Sequence, residues 1–375
     1  MHASRTHLRA LVKLIVTSGT LSVVLFTAVV ATGLVGGVTA HASTQTYSMT
    51  DLGTLGSTTT FGNSINPNGQ IAGTSYLQQT VPVSGCPPRH PCHATVSHAF
   101  LYSAGKMTDI GTLGGTFSSA AAVNSTGEVA GTSTLSGITT APTHAFLYHN
   151  ATMTDLGTLG GPCSFAYGIN DLGEVVGQAC TTSNQDAFLY SGGKMTDLGT
   201  LGNIGSEAVG INNSGQVVGN SEAANGSGLH AVMWNSNGKI TDLGTLGGLE
   251  SFASAINNAG QVVGYASPST GSVHAFLSSG GKMTDLGVFF DSSVATAINS
   301  SGVVVGTADV LLSNGNTEQH AFIYRNGKLQ DLNNLIPPDS GWVLTSATAI
   351  NDQGQIVCNA DNGSGGLHAF LLNPN

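Results

Sequence analysis

From residue 48 to residue 372 the chain is written in short runs of apolar and small residues, punctuated by Gly, Asn and Ser. Runs of this length bounded by turn residues predict β-strands. Four run types recur in fixed order: a small-residue segment ending in Ile-Asn or Val-Asn, a Gly-Gln-Val-Val-Gly-like segment, His-Ala-Phe-Leu-Tyr, and Met-Thr-Asp-Leu-Gly-Thr-Leu-Gly-Gly. Each occurs seven times. The aspartates of the fourth run are Asp51, Asp109, Asp155, Asp197, Asp242, Asp285 and Asp331, spaced by 58, 46, 42, 45, 43 and 46 residues. Such a period marks a repeat architecture, and four strands per repeat match a propeller blade.

The turns between runs support antiparallel pairing. Asn-x-x-Gly joins the first and second runs in all seven repeats, as in NPNG at Asn66 and NDQG at Asn351. Asn at the first position and Gly at the fourth suit a type I turn whose Asn side chain bonds the backbone. Ala-Gly, Gly-Gly and Asn-Gly pairs between the third and fourth runs are hairpin chemistry. Ser64, Ala122, Gly168, Gly210, Ala255, Ala297 and Ala349 precede the last apolar residue of each first run, as expected where seven strands crowd one axis. The chain enters on a lone fourth run, residues 48–53, and leaves on a third run ending at Leu372. If the former completes the blade of the latter, residues 43–375 form one all-β, seven-bladed β-propeller of four-stranded antiparallel blades, with no exposed edge at the seam.

Residues 1–42 differ. Arg5, Arg9 and Lys13 precede an apolar segment, Leu14 to about Val38, and Ala40-His41-Ala42 follows. That is the pattern of a Sec signal peptide cleaved near Ala42, and it predicts a secreted protein. An uncleaved anchor is the alternative. Three of the ten Lys and Arg lie in this leader and all 20 Asp and Glu lie beyond it, so the remainder has no basic face for nucleic acid. Cysteine usage fits export: Cys86 with Cys92, and Cys163 with Cys180, are the expected disulfides, and Cys358 is left over where other repeats carry glycine.

The polar signature residues are expected to be scaffold. A catalytic pair is needed once, whereas His98, His144, His230, His274, His320 and His368 recur with the seven aspartates; only the third repeat departs, with Asp186. The aspartates should accept backbone N–H bonds at the crossover to the next blade, and the histidines should bond loop backbone. No cofactor is expected; a calcium ion gathered by the aspartates is a weaker reading, because no single loop carries several carboxylates.

Function is sought in departures from the repeat. Glu207 stands four residues before Ile211, where other repeats carry Phe61, Ser119, Phe165, Phe252, Val294 and Ser346; Glu250 and Asp291 lie in neighbouring crossovers. Paired carboxylates there would suit a polysaccharide hydrolase or lyase. Loops from the second to the third runs vary most, from 24 residues at Thr74–Ser97 to eight at Gln178–Gln185, and emerge with the crossovers. Variable loops on a rigid frame mark that end as the binding face. Tyr76, Arg89, His90, His93, His149, Phe117, Tyr265 and Trp342 are the candidate contacts there, while Trp234 reads as core.

The His-Ala-Phe signature, combined with Met-Thr-Asp-Leu-Gly-Thr-Leu-Gly-Gly over residues 48–372, resembles the bacterial extracellular HAF-repeat family. The resemblance implies an exported repeat protein and supplies no catalytic residues. Departures are Asp186 in the third repeat, His230-Ala-Val232 in the fourth, Gly-Val-Phe-Phe after Leu286, and Asp331-Leu-Asn-Asn-Leu-Ile-Pro-Pro in the last crossover. The leading expectation is a monomeric binding module for a cell-surface glycan or protein, with the hydrolase or lyase second and a structural surface protein third.

Overall fold

The computed structural model describes residues 45–82, 93–136, 142–202, 204–226, 228–363 and 365–375. They form seven four-stranded antiparallel sheets, the blades of a closed propeller. Blade 1 runs from its innermost strand outwards as Thr60–Ile65, Ile71–Pro82, His93–Ser103 and Lys106–Asp109. The innermost strands of blades 2 to 7 are Ser118–Val123, Ser164–Ile169, Ser206–Ile211, Gly247–Ile256, Ser293–Ile298 and Val343–Ile350. In blade 7 the outermost strand is the first of the chain: Tyr47–Asp51 pairs with Leu367–Pro374, Met49 opposite Leu372. Among the described residues no helix is long and apolar enough to cross a membrane.

The core lies between blades. Phe100, Phe146, Phe188, Phe276 and Phe322 of the His-Ala-Phe strands are fully buried, each against the aliphatic side chains of a neighbouring blade. Burying one such ring contributes about 1.5–3 kcal/mol. Blade 4 has Val232 in the phenylalanine position and compensates with the buried Trp234 two residues on, as expected of a core residue. A Cβ on Gly177, facing the Phe188 ring, would overlap the Phe165 carbonyl, which explains glycine there. Cys358 occupies the equivalent position in blade 7, where a second register shift between Leu344 and Ser346 moves the facing backbone.

Asn66, Asn124, Asn170, Asn212, Asn257, Asn299 and Asn351 are buried and do two jobs. Each Oδ1 accepts the backbone N–H groups two and four residues on, as in Asn68 and Gln70, which is the expected turn. Each Nδ2 also donates to the backbone carbonyl of the equivalent asparagine in the next blade, at 2.8–3.3 Å. The last bond, Asn351 to Asn66, closes a ring of seven around the axis.

Serines clip the blades further out. Ser206 Oγ accepts from the Ala187 N–H and donates to the Gly199 carbonyl, both in blade 3, and Ser118, Ser164, Ser251 and Ser293 repeat this arrangement. At the entry to blade 7, Leu344 replaces serine. There a short 3-10 helix, Leu332–Asn334, brings Asn333 to exchange two bonds with the Leu344 backbone.

Candidate functional site

The two ends of the propeller are chemically unlike. The Asn-x-x-Gly turns and the hairpins between third and fourth strands lie at one end, here the turn end; crossovers and the variable loops lie at the other, the loop end. All six Lys and Arg among the described residues are at the turn end: Lys106, Lys194, Lys239, Lys282, Arg325 and Lys328. Of the 20 acidic residues only Glu128, Asp171, Glu174 and Asp352 join them there. Among the described residues the loop end is therefore acidic without a counter-ion of the Lys or Arg kind.

The histidines and aspartates meet at the loop end as a repeated motif. Each of the seven aspartates accepts the backbone N–H two residues on, at 2.7–2.9 Å, which holds the turn into the next blade. The expectation that the histidines bond loop backbone is corrected: in six blades Nδ1 lies 2.7–2.8 Å from the aspartate of the same blade. A carboxylate only accepts, so Nδ1 carries the proton. In blade 3 the buried Asp186 replaces histidine, and burial first, then the neighbouring Asp197, pushes its carboxyl above the usual range.

A second repeated device shapes the channel. The register between the first and second strands slips by one residue in every blade, and the extra residues are Asn63, Ala121, Tyr167, Val209, Ser254, Thr296 and Thr348. All seven line the axial channel, a space of about 230 Å³. A bulge re-aims one side chain, and here it turns a side chain of each blade toward the axis. Tyr167 is the one aromatic among the seven. At the turn end the channel opens into a mouth of about 200 Å³ lined by the asparagine ring.

At the loop-end mouth the seven blades differ. Glu207 is opposite Asn220 in strand register, and the equivalent pairs in the flanking blades are Phe165 with Gln178 and Phe252 with Tyr265. In blade order Glu207 thus stands between two phenylalanine positions. Asn220 Nδ2 donates to its Oε1 at 2.7 Å, while Asn220 Oδ1 accepts the Ala253 N–H of blade 5. Tyr265 stacks on Phe252 with ring centroids 4.9 Å apart. Burial pushes the Tyr167 and Tyr265 phenols up, and the Glu207 charge adds to both; Glu250 adds to Tyr265.

Beside Glu207 a cleft of about 560 Å³ opens between blades 3 and 4. Gln178, Asn220 and Thr181 to Gln185 line it, with the exposed Ile204 and Leu229 at the rim. Cys163 and Cys180 are joined by a disulfide, as expected, which fastens the cleft's blade 3 wall.

The candidate residues from the sequence therefore separate. Glu207 and Glu250 both act on the Tyr265 phenol, whereas Asp291 accepts a bond from Ser272 at 2.8 Å. Tyr76 packs edge-on against Phe61 in blade 1, centroids 6.4 Å apart. Phe117 is half-buried, its backbone bonded to Thr134. Trp342 packs on His368 and Phe370 at the closing seam, at 4.8 and 5.0 Å. His149 is corrected: it lies in a third-to-fourth-strand hairpin at the turn end, 2.9 Å from Glu128. Arg89, His90, Cys86 and Cys92 lie outside the described residues, as does the His93 side chain. Phe165, Tyr167, Gln178 and Asn220 were missed. The one signal in the sequence was that phenylalanine fills the Glu207 position in the repeats on either side. Among the described residues no three His, Cys, Asp or Glu are grouped to hold a metal ion.

Comparison with known proteins adds little chemistry. Residues 275–365 match a family described as a protein of unknown function (DUF3466). No curated protein matches the chain. Among solved structures it is similar to TolB from Acinetobacter baumannii, at 12% identity and TM-score 0.41, over 74% of this chain and 60% of that one. It is also similar to a putative TolB from Agrobacterium tumefaciens, at 13% identity and TM-score 0.37, over 73% of this chain and 80% of that one. The β-propeller domain of the Trilobed protease from Pyrococcus furiosus aligns over 73% of this chain and 97% of that one, at 8% identity and TM-score 0.47.

Proposed function

We propose that the chain is an exported binding module of the HAF-repeat kind, whose loop end recognises a cell-surface glycan. One observation carries the reading. Glu207 breaks the repeat between Phe165 and Phe252 of the flanking blades, its charge acts on Tyr167 and Tyr265, and it lines a cleft of about 560 Å³. Rigid aromatic faces interleaved with amide and carboxylate groups suit a sugar, which presents apolar faces and a rim of hydroxyls. The disulfide at the cleft supports an oxidising compartment, and the Sec-type leader would deliver the chain there.

A second reading, a glycan hydrolase or lyase, is supported by two carboxylates, Glu207 and Glu250, both acting on Tyr265. A glycan array probed with the full chain, followed by turnover assays on every hit, separates the two. Binding without turnover, weakened by Glu207→Gln, is the expected result. Turnover abolished by Glu207→Gln with Glu250→Gln would replace the module with an enzyme, and a silent array would send the search to protein partners.

A further inference from the structure

Glu207 has an unusual setting for a carboxylate. It is half-buried at the loop-end mouth, and its recorded side-chain partner is the neutral Asn220 amide. No ion pair among the described residues includes it, and every described Lys and Arg is at the far end of the propeller. Phe165 and Phe252 hold the same strand position in the blades on either side, Tyr265 stacks on Phe252, and Tyr167 lines the channel two residues beyond Phe165. The Glu207 charge acts on Tyr167 and Tyr265, and the faces of aromatic rings are electronegative, so neither ring relieves it.

A cation resolves both. An ammonium group is attracted to aromatic faces and to a carboxylate alike, and the attraction strengthens when water is partly excluded. Symmetry shows that the arrangement is local: of the seven equivalent inner-strand positions Glu207 is the one carboxylate, and of the seven bulge positions Tyr167 is the one aromatic. Neither residue serves the repeat, since the other blades close with Phe, Ser or Val in the place of Glu207 and with Asn, Ala, Val, Ser or Thr in the place of Tyr167.

We propose that Glu207, with Phe165, Tyr167, Phe252 and Tyr265, forms a binding site for an organic ammonium group, and that its natural source is the free amine of an amino sugar in a glycan. The second half of the proposal rests on the glycan reading above; the first does not. The adjoining cleft, of about 560 Å³ and lined by Gln178, Asn220 and the Thr181 to Gln185 loop, has room for further sugar rings beside the one that carries the amine. Glu250, which also bears on Tyr265, adds negative potential at the same mouth.

The test is calorimetric titration of the full chain with three probes: a glucosamine tetramer, the same tetramer N-acetylated, and tetramethylammonium. The expected result is binding of the free-amine tetramer at least about tenfold tighter than its acetylated form, roughly 1.4 kcal/mol being one such step. That binding should weaken as pH rises through the titration of the amine, and weaken again in high salt. Glu207→Gln keeps the side-chain shape and an oxygen for Asn220, so it should fold normally and lose about tenfold for both cationic probes. Tyr265→Leu should lose severalfold, and Asp171→Asn at the opposite mouth should change neither. Tetramethylammonium bound and the amino-sugar tetramer ignored would keep the ammonium site and overturn the sugar as its source. Equal affinity for the free and acetylated tetramers, indifferent to Glu207→Gln, would overturn the ammonium site while leaving glycan binding intact. No binding of either cation would overturn the whole proposal.

Discussion

His368 donates its Nδ1 proton to Asp51 at 2.8 Å, across 317 positions of sequence, and with this bond the last blade acquires the motif that the other histidine-bearing blades make within a single hairpin. The bond is half-exposed, so by itself it should contribute at most about 1 kcal/mol. His368→Ala is therefore expected to lower stability to urea by no more than that. Removing Tyr47–Asp51 should cost far more, because it uncovers Phe370 and Leu372 and leaves Leu367–Pro374 as an open edge. A deletion variant as stable as the parent would show that the seam is not the weak point of the ring.

The asparagine ring predicts a difference between two conservative changes. Asn212→Asp keeps the oxygen that accepts the Ser214 and Gln216 N–H groups but removes the donor to the Asn257 carbonyl and sets a charge against it. Asn212→Ala removes both functions. Each should lower stability, by about 1–3 kcal/mol for the buried groups left unpaired. Thermal unfolding reads the difference; an unchanged midpoint in the aspartate variant would mean that the bond between blades contributes nothing.

Asp186 offers the opposite sign. Its carboxyl titrates above the ordinary value because it is buried and then because Asp197 is beside it. A raised folded-state value means that stability is greatest below the unfolded value and falls as pH rises through the folded one. Asp186→His would restore the pairing of the other blades, so at neutral pH the variant should be more stable by about 1 kcal/mol. The gain should shrink as the pH is lowered into the range where Asp186 takes up its proton. A variant less stable than the parent at neutral pH would mean that this buried position needs the smaller side chain.

Cys358 is fully buried and its thiol is pushed well above the usual range by burial, so it should not react with a thiol reagent while the chain is folded. Titration should report no free thiol from this residue until denaturant is added. The Cys163–Cys180 disulfide closes a loop over 17 positions and should contribute about 3 kcal/mol. Reduction should also weaken any ligand held by the cleft whose wall it fastens.

The sequence announces the blades because each repeat must bury the same faces, and the small residues before Ile65 and its equivalents mark the axis. It is silent where one side chain serves two units. Asn66 is legible as a turn residue from its own repeat, but the bond from its Nδ2 to Asn124 lies 58 residues away and leaves no local mark. The histidines mislead for a different reason. Strand register places His98 diagonal to Asp109, and the length of the imidazole bridges the diagonal to reach 2.8 Å. At the candidate site, Glu207 stands out as a break in the pattern, while Tyr167 does not, because only the bulge reveals that its position faces the channel.

The ring of asparagines also limits how such a protein can change over time. Each blade passes one bond to the next around the axis, and the circle shuts only when the angles between successive blades add to a full turn. Duplicating or losing a single repeat is an easy accident for a gene built of repeats, yet it would leave one donor and one carbonyl facing a gap or a crowd. New specificity is therefore more readily acquired by editing the few positions that the ring and the clips do not use, and Glu207 and Tyr167 are two of them.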